Sequence, residues 1–257
     1  MLEIDNDILQ LRNGLSPLPR TDPSRSAYLT TLAVAQLARY ELTDENGDLE
    51  ESISRSVDAI LSFDPHIGHD SHVVTAFFFL ADSLFRRSQK LKRLGDSKHC
   101  LKYFRYLRDQ SLETSRITRG HIITAFMRAL AIQVEMESIN PTRNIEEMAI
   151  FCRELLSLDA SDELLFVAVK IFVEAIEDEP LSEYRPPPDQ AIECLREANI
   201  RFPDLERVSL TLLVSLFQRF AATHSNADYE DAMSIVDGSF TDPEYVKLAS
   251  HFAVGLA

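Results

Sequence analysis

Gly47-Asp48-Leu49-Glu50-Glu51-Ser52-Ile53, followed by Asp58-Ala59-Ile60 and Asp64-Pro65, is the stretch on which the reading of this chain turns. A Gly-Asp pair opens an apolar pattern spaced like one face of a helix, and the same pair returns 48 residues later as Gly95-Asp96. Asp48, Asp96 and Asn144 stand 48 apart, each the expected cap of a shorter helix. Asp22, Asp70 and Thr118 keep the same interval as expected caps of a longer helix, with Ala33, Ala81 and Ala129 in its middle. Ile53, Leu101 and Ala149 share the inner face of the shorter helix. Caps, small residues and core positions that recur together at one period of roughly 20–50 residues denote stacked supersecondary units.

Working outward, the eleven prolines divide the chain into segments whose apolar residues recur at i, i+3, i+4 and i+7. Proline breaks helix interiors and is tolerated in the first turn, so this placement reads as helix, turn, helix throughout. The helices expected are Glu3–Leu11, Ser24–Leu42, Leu49–Phe63, Ser71–Lys92, Ser97–Gln110, Arg119–Ser138, Ile145–Leu156, Asp162–Glu177, Asp189–Arg201, Leu205–Thr223, Ala227–Val236 and Pro243–Gly255. No stretch alternates with period two, so no sheet is expected. Later the register loosens: Asp189 and Asp228 continue the cap series at intervals of 45 and 39. The fold class is therefore all-α, a single solenoid over 1–257. It comprises a partial helix in 1–20, hairpins at 21–68, 69–116, 117–160, 161–203 and 204–240, and a terminal helix in 241–257.

The Gly47–Ile53 stretch with Ala59-Ile60 and Asp64-Pro65 resembles the second helix of tetratricopeptide repeats, with Ser52 at the family's usual small Ala. Leu32-Ala33 and Leu80-Ala81 resemble the Leu-Gly/Ala pair of its first helix. Asp22–Ser26 followed by Leu29–Ala33 is similar to the long arrays of fungal tetratricopeptide proteins, which are sometimes joined to caspase-like peptidase domains of the CHAT type. The period near 48 departs from the family's 34. The resemblance implies a right-handed superhelix of about five antiparallel hairpins. It also implies a concave face lined by first helices, on which Phe78, Asp82, Arg86, Phe126 and Gln133 are placed.

The net charge of −15 disfavours nucleic acid and anionic membrane, because the average field repels phosphate. No apolar run approaches the ~20 residues of a membrane span, and the N-terminus carries no apolar leader pattern. Three widely spaced cysteines, Cys100, Cys152 and Cys194, fit buried reduced thiols and a cytoplasmic setting.

Signatures of chemistry are sparse. Nucleotide-binding loops, the GxSxG elbow and the HExxH helix do not occur. No His-Gly dipeptide is present for a caspase-like centre, so no catalytic residue is assigned. His66, His69, Asp70 and His72 have ligand chemistry, yet they fall in one connection with Asp70 at a cap position. No metal and no cofactor is expected there. One segment exceeds background. Arg86, Arg87, Lys90, Lys92, Arg93, Lys98, Lys102, Arg105 and Arg108 are opposed by Asp96 alone, giving +8 against −23 for the remaining 234 residues. This is either a site for an acidic partner or a solvated tip pairing with acidic blocks such as Glu41–Glu51. The candidate partner-binding residues are thus Phe78, Asp82, Arg86, Arg87, Lys90, Arg93, Phe126 and Gln133.

The expected function is a non-catalytic scaffold binding a protein or peptide, an acidic one at the basic segment. The alternative is a regulatory region of a larger enzyme such as a CHAT peptidase. At the C-terminus, Val246, Leu248, Ala249, Phe252, Ala253 and Leu256 give residues 243–256 the face of a first helix. Ile4, Ile8 and Leu11 likewise suggest a second helix lacking its first. Either these ends meet another subunit or continue an array, or the last helix folds back onto the fifth hairpin.

Overall fold

The computed structural model describes residues 2–22, 24–63, 71–109, 119–137, 141–158, 161–177, 187–238 and 247. Within them the chain is helical, with no strand. The helices are α1 (Leu2–Leu15), α2 (Ser24–Thr43), α3 (Asn46–Leu61), α4 (Ser71–Leu91), α5 (Leu94–Arg108) and α6 (Arg119–Glu137). They continue as α7 (Pro141–Ser157), α8 (Asp162–Glu177), α9 (Asp189–Arg201), α10 (Glu206–Thr223) and α11 (Asn226–Gly238). The expected helix at 243–255, the self-association assigned to it, and His66, His69 and Asp70 lie outside the described residues. The chain divides into two compact units, Met1–Ala129 and Leu130–Ala257, with the boundary inside α6 and so inside the hairpin expected at 117–160.

In the first unit α1 packs on α2, α2 on α3, α3 on α4, and α4 on both α5 and α2. Small residues let these helices approach. Ser52 on α3 is fully buried, and its hydroxyl donates to the Ala33 carbonyl of α2 at 2.9 Å. It also meets the Ser83 hydroxyl of α4 at 3.0 Å. Ala33 and Ala81 have no exposed surface, as their register demands. Leu29, Ala59 and Ala76 form one core cluster from α2, α3 and α4, and Leu37, Tyr40 and Leu49 form a second with Phe79 packed on it.

In the second unit α7 packs on α8 and α9, and α10 on α8, α9 and α11. Polar links join neighbours here too: Ser209 donates to the Asn199 side chain at 2.6 Å and Thr211 to Glu177 at 2.9 Å. Proline opens α7 at its first position, where its missing N–H costs nothing.

The cap assignments need correction. Asp22 acts at a helix start, accepting the Ser24 N–H at 2.8 Å. Asp48 and Asp96, however, sit in the third position of α3 and α5, and neither helix has a side-chain cap bond at its N-terminus. Asp228 takes the third position of α11, Asp189 the first of α9, and Asn144 lies a full turn inside α7. For α3, α5 and α11 the physical reason is the turn before the helix. Asp44, Lys92 and His224, each just past a first helix, adopt the left-handed conformation with φ of 56°, 50° and 57°. This C-terminal turn returns the chain so tightly that the next helix begins earlier than the Gly-Asp pair suggests. The acid is then released for another bond.

Candidate functional site

That bond is a repeated ionic staple. Arg39, near the end of α2, donates through Nε to Asp48 Oδ2 at 2.8 Å and through Nη2 to Asp48 Oδ1. Its Nη1 reaches Asp5 on α1 at 3.1 Å. Arg87 on α4 repeats the arrangement, with Nε and Nη2 each 2.8 Å from Asp96 and Nη1 bonded to Glu50 on α3. In the second unit, Arg219 on α10 grips Asp228 with Nε and Nη2 and reaches Asp189 on α9 at 2.8 Å. Each guanidinium closes its own hairpin bidentately and ties it to the preceding second helix. The fork of Arg matches a carboxylate in this geometry, and lysine could not. These acids hold the Arg39, Arg87 and Arg219 guanidinium pKa values above their ordinary range. In the sequence Arg precedes Asp by nine residues at 39/48, 87/96 and 219/228, but also at 55/64 and 153/162, so the spacing alone does not mark the staple. The reading of Asp as a cap hid it.

The basic segment is drawn into the same network. Arg86 bridges Asp82 at 3.0 Å and Glu41 at 2.6 Å. Lys90 donates to the Asp44 carbonyl at 2.7 Å and carboxylate at 2.6 Å, and lies over the Tyr40 ring. Arg86, Arg87 and Lys90 therefore join α4 to the acidic block Glu41–Glu51. Asp82 is largely covered; burial pushes its carboxyl above the usual range, and Arg86 offsets this only in part.

The other expected residues scatter. Arg93 is exposed at the N-terminus of α5. Phe78 is half-buried, edge-on to Phe79 and Phe104. Phe126 is fully buried and stacks on Phe104 at 6.1 Å, so it is a core residue and not an open lining; an apolar position at helix spacing fits both. Gln133 is half-buried on α6.

Two surfaces among the described residues bear on binding. Across α4 and α5, the Phe77 ring lies 4.8 Å from Tyr106 and 5.8 Å from Tyr103, with Tyr106 45% exposed and Lys102 exposed one turn away. The second is an open groove of about 470 Å³ between α1 and α2. Asp7, Leu11 and Gly14 line one side, and Tyr28, Thr31 and Ala35 the other. A Cβ at Gly14 would fall 2.7 Å from the Tyr28 ring, so a larger residue there would make that partly exposed side chain shift.

Among the described residues, no three of His, Cys, Asp and Glu are grouped to hold a metal ion, and no helix is long and apolar enough to cross a membrane. All three cysteines are free and buried. The Cys100 thiol donates to the Ser97 carbonyl, and burial pushes its pKa up to about 12, the opposite of an activated nucleophile. Comparison with protein-family models, with curated proteins and with solved structures gives no match, so the functional reading rests on these residues themselves.

Proposed function

We propose that this chain is a non-catalytic, cytoplasmic scaffold of tetratricopeptide-like hairpins, wound in the right-handed sense of that class, which binds a protein or peptide partner. The observation that supports it is the division of labour among side chains. Ion pairs of the first helices fix hairpin to hairpin, which gives a rigid frame. Tyr106 and Lys102 are exposed beside the half-buried Phe77 and Tyr103, and Tyr and Phe around a charged residue are what interface centres favour. Concave-face binding through Phe78 and Asp82 belongs to the same reading, as does an acidic partner for Lys102 and Arg93.

The test is capture from native lysate with wild type and a Tyr106→Ser/Lys102→Glu variant, their folds compared by circular dichroism. Loss of a discrete partner from the variant alone supports the reading. Equal capture removes this face from it. An Arg86/Arg87/Lys90 reversal is unsuitable as a control, because it breaks contacts inside the protein.

A further inference from the structure

The groove between α1 and α2 has a counterpart elsewhere in the same unit, and there it is filled. Shifted by the 48-residue period, Tyr28, Thr31 and Ala35 on α2 become Ala76, Phe79 and Ser83 on α4. Those three residues carry the packing of α4 on the preceding hairpin. Ala76 lies in the cluster with Leu29 and Ala59, Phe79 packs against Leu37, Tyr40 and Leu49, and Ser83 meets Ser52.

The other wall maps equally well. The staple equates Asp5 on α1 with Glu50 on α3, since each receives Nη1 of the following arginine. In that register Asp7, Leu11 and Gly14 become Ser52, Ser56 and Ala59. Ser52 and Ala59 bond to α2, through the Ala33 carbonyl and the Ser26 hydroxyl, and all three are fully buried. Both walls of the groove are therefore surfaces that one hairpin later are covered by a first helix. Here Asp7 and Thr31 are exposed, and Tyr28 is 37% exposed. The groove thus corresponds to a surface that a first helix covers one hairpin later.

The chain itself carries a segment with the pattern of that helix. Residues 245–253 read YVKLASHFA, with Leu248-Ala249 repeating the Leu32-Ala33 and Leu80-Ala81 pairs, and Phe252 at the position of Gln36 and Leu84. The staple of Arg219 and Asp228 makes α10 a first helix and α11 a second, so residues 243–256 follow in the place of a first helix. We propose that residues 243–256 of one copy occupy the α1/α2 groove of a second copy, completing a hairpin with its α1. The contact is head-to-tail, so it propagates into an open chain or closes as a ring.

The experiment uses the full chain. Sedimentation from micromolar to submillimolar protein is compared for wild type, Thr31→Arg, which blocks the groove at an exposed position, and Phe252→Glu, which spoils the helix. Wild type should self-associate with concentration, and each variant should remain monomeric. Mixed one to one, the variants should form a heterodimer that grows no further, because only one intact groove and one intact helix remain. A labelled peptide of residues 241–257 should bind Phe252→Glu at least tenfold more tightly than Thr31→Arg. That arm stands even where Phe252→Glu alters its own last helix. A wild-type chain that is monomeric throughout overturns the proposal and leaves the groove to a helix of a different protein. Self-association unchanged by Thr31→Arg overturns it as well.

Discussion

Gln36 is the anomaly of the first core, and replacing it should strengthen the protein. Its side chain has no exposed surface, and neither Oε1 nor Nε2 has a hydrogen-bond partner. Glu51 on α3 is already committed to Arg12 at 2.7 and 2.8 Å. A buried amide left unbonded costs about 1–3 kcal/mol by protein mutational data. The repeat supplies the replacement: 48 residues on, the same position is Leu84, 6% exposed. Leu is close to Gln in volume, so little repacking strain is expected. Gln36→Leu should therefore raise unfolding stability by about 1–3 kcal/mol, and the melting temperature by roughly 2–4 °C for each kcal/mol. Urea titrations followed by far-UV circular dichroism measure it, with Gln36→Ala as the control that opens a cavity and falls below the Leu variant. If Gln36→Leu is destabilised by about 1 kcal/mol or more, the amide is bonded and the equivalence of Gln36 with Leu84 fails.

Asp96→Ala should cost about 1–3 kcal/mol, because it removes the bidentate partner of the largely covered Arg87 and leaves it only the exposed Glu50. A cycle with Arg87→Ala should return a favourable coupling, and a coupling near zero would make the staple ornamental. Ala81→Leu should overpack a position with no exposed surface and lose roughly 1–3 kcal/mol, read as a lowered melting temperature. The acid limb should depend on Glu51. Burial alone would raise its pKa, but Arg12 and then Arg55 more than offset this and hold it below the usual value. A depressed folded pKa gives stability that is present above the unfolded value and lost as pH falls through the folded one. Glu51→Gln should flatten that part of a stability-versus-pH titration, and an unchanged slope would show that Arg12 confers no pH-dependent stability through Glu51.

The sequence by itself determined the helices and their pairing. Proline placement and apolar spacing are local properties, and α8 and α9 fall at the expected residues, with most other ends within a few. The 48-residue period marked Ala33, Ala81 and Ala129 as positions for small buried residues, and all three are buried, with Ala33 bonded to Ser52 of α3. What the charges do was decided by tertiary structure. Lys90 finds its acid 46 residues away and Arg87 finds Glu50 37 residues away, distances at which a sequence shows only that both signs exist. The basic run was therefore open to two readings, a partner surface or pairing with the block Glu41–Glu51, and packing of α4 beside the acidic end of α2 and α3 pairs Arg86, Arg87 and Lys90 with that block. The same holds for Phe126, whose spacing fits a lining or a core, and for α1. Its apolar face is ordinary in sequence, and only the register of α3 and α4 relates it to a surface that a first helix covers, because the role of a helix face is defined by the neighbours that equivalent helices have.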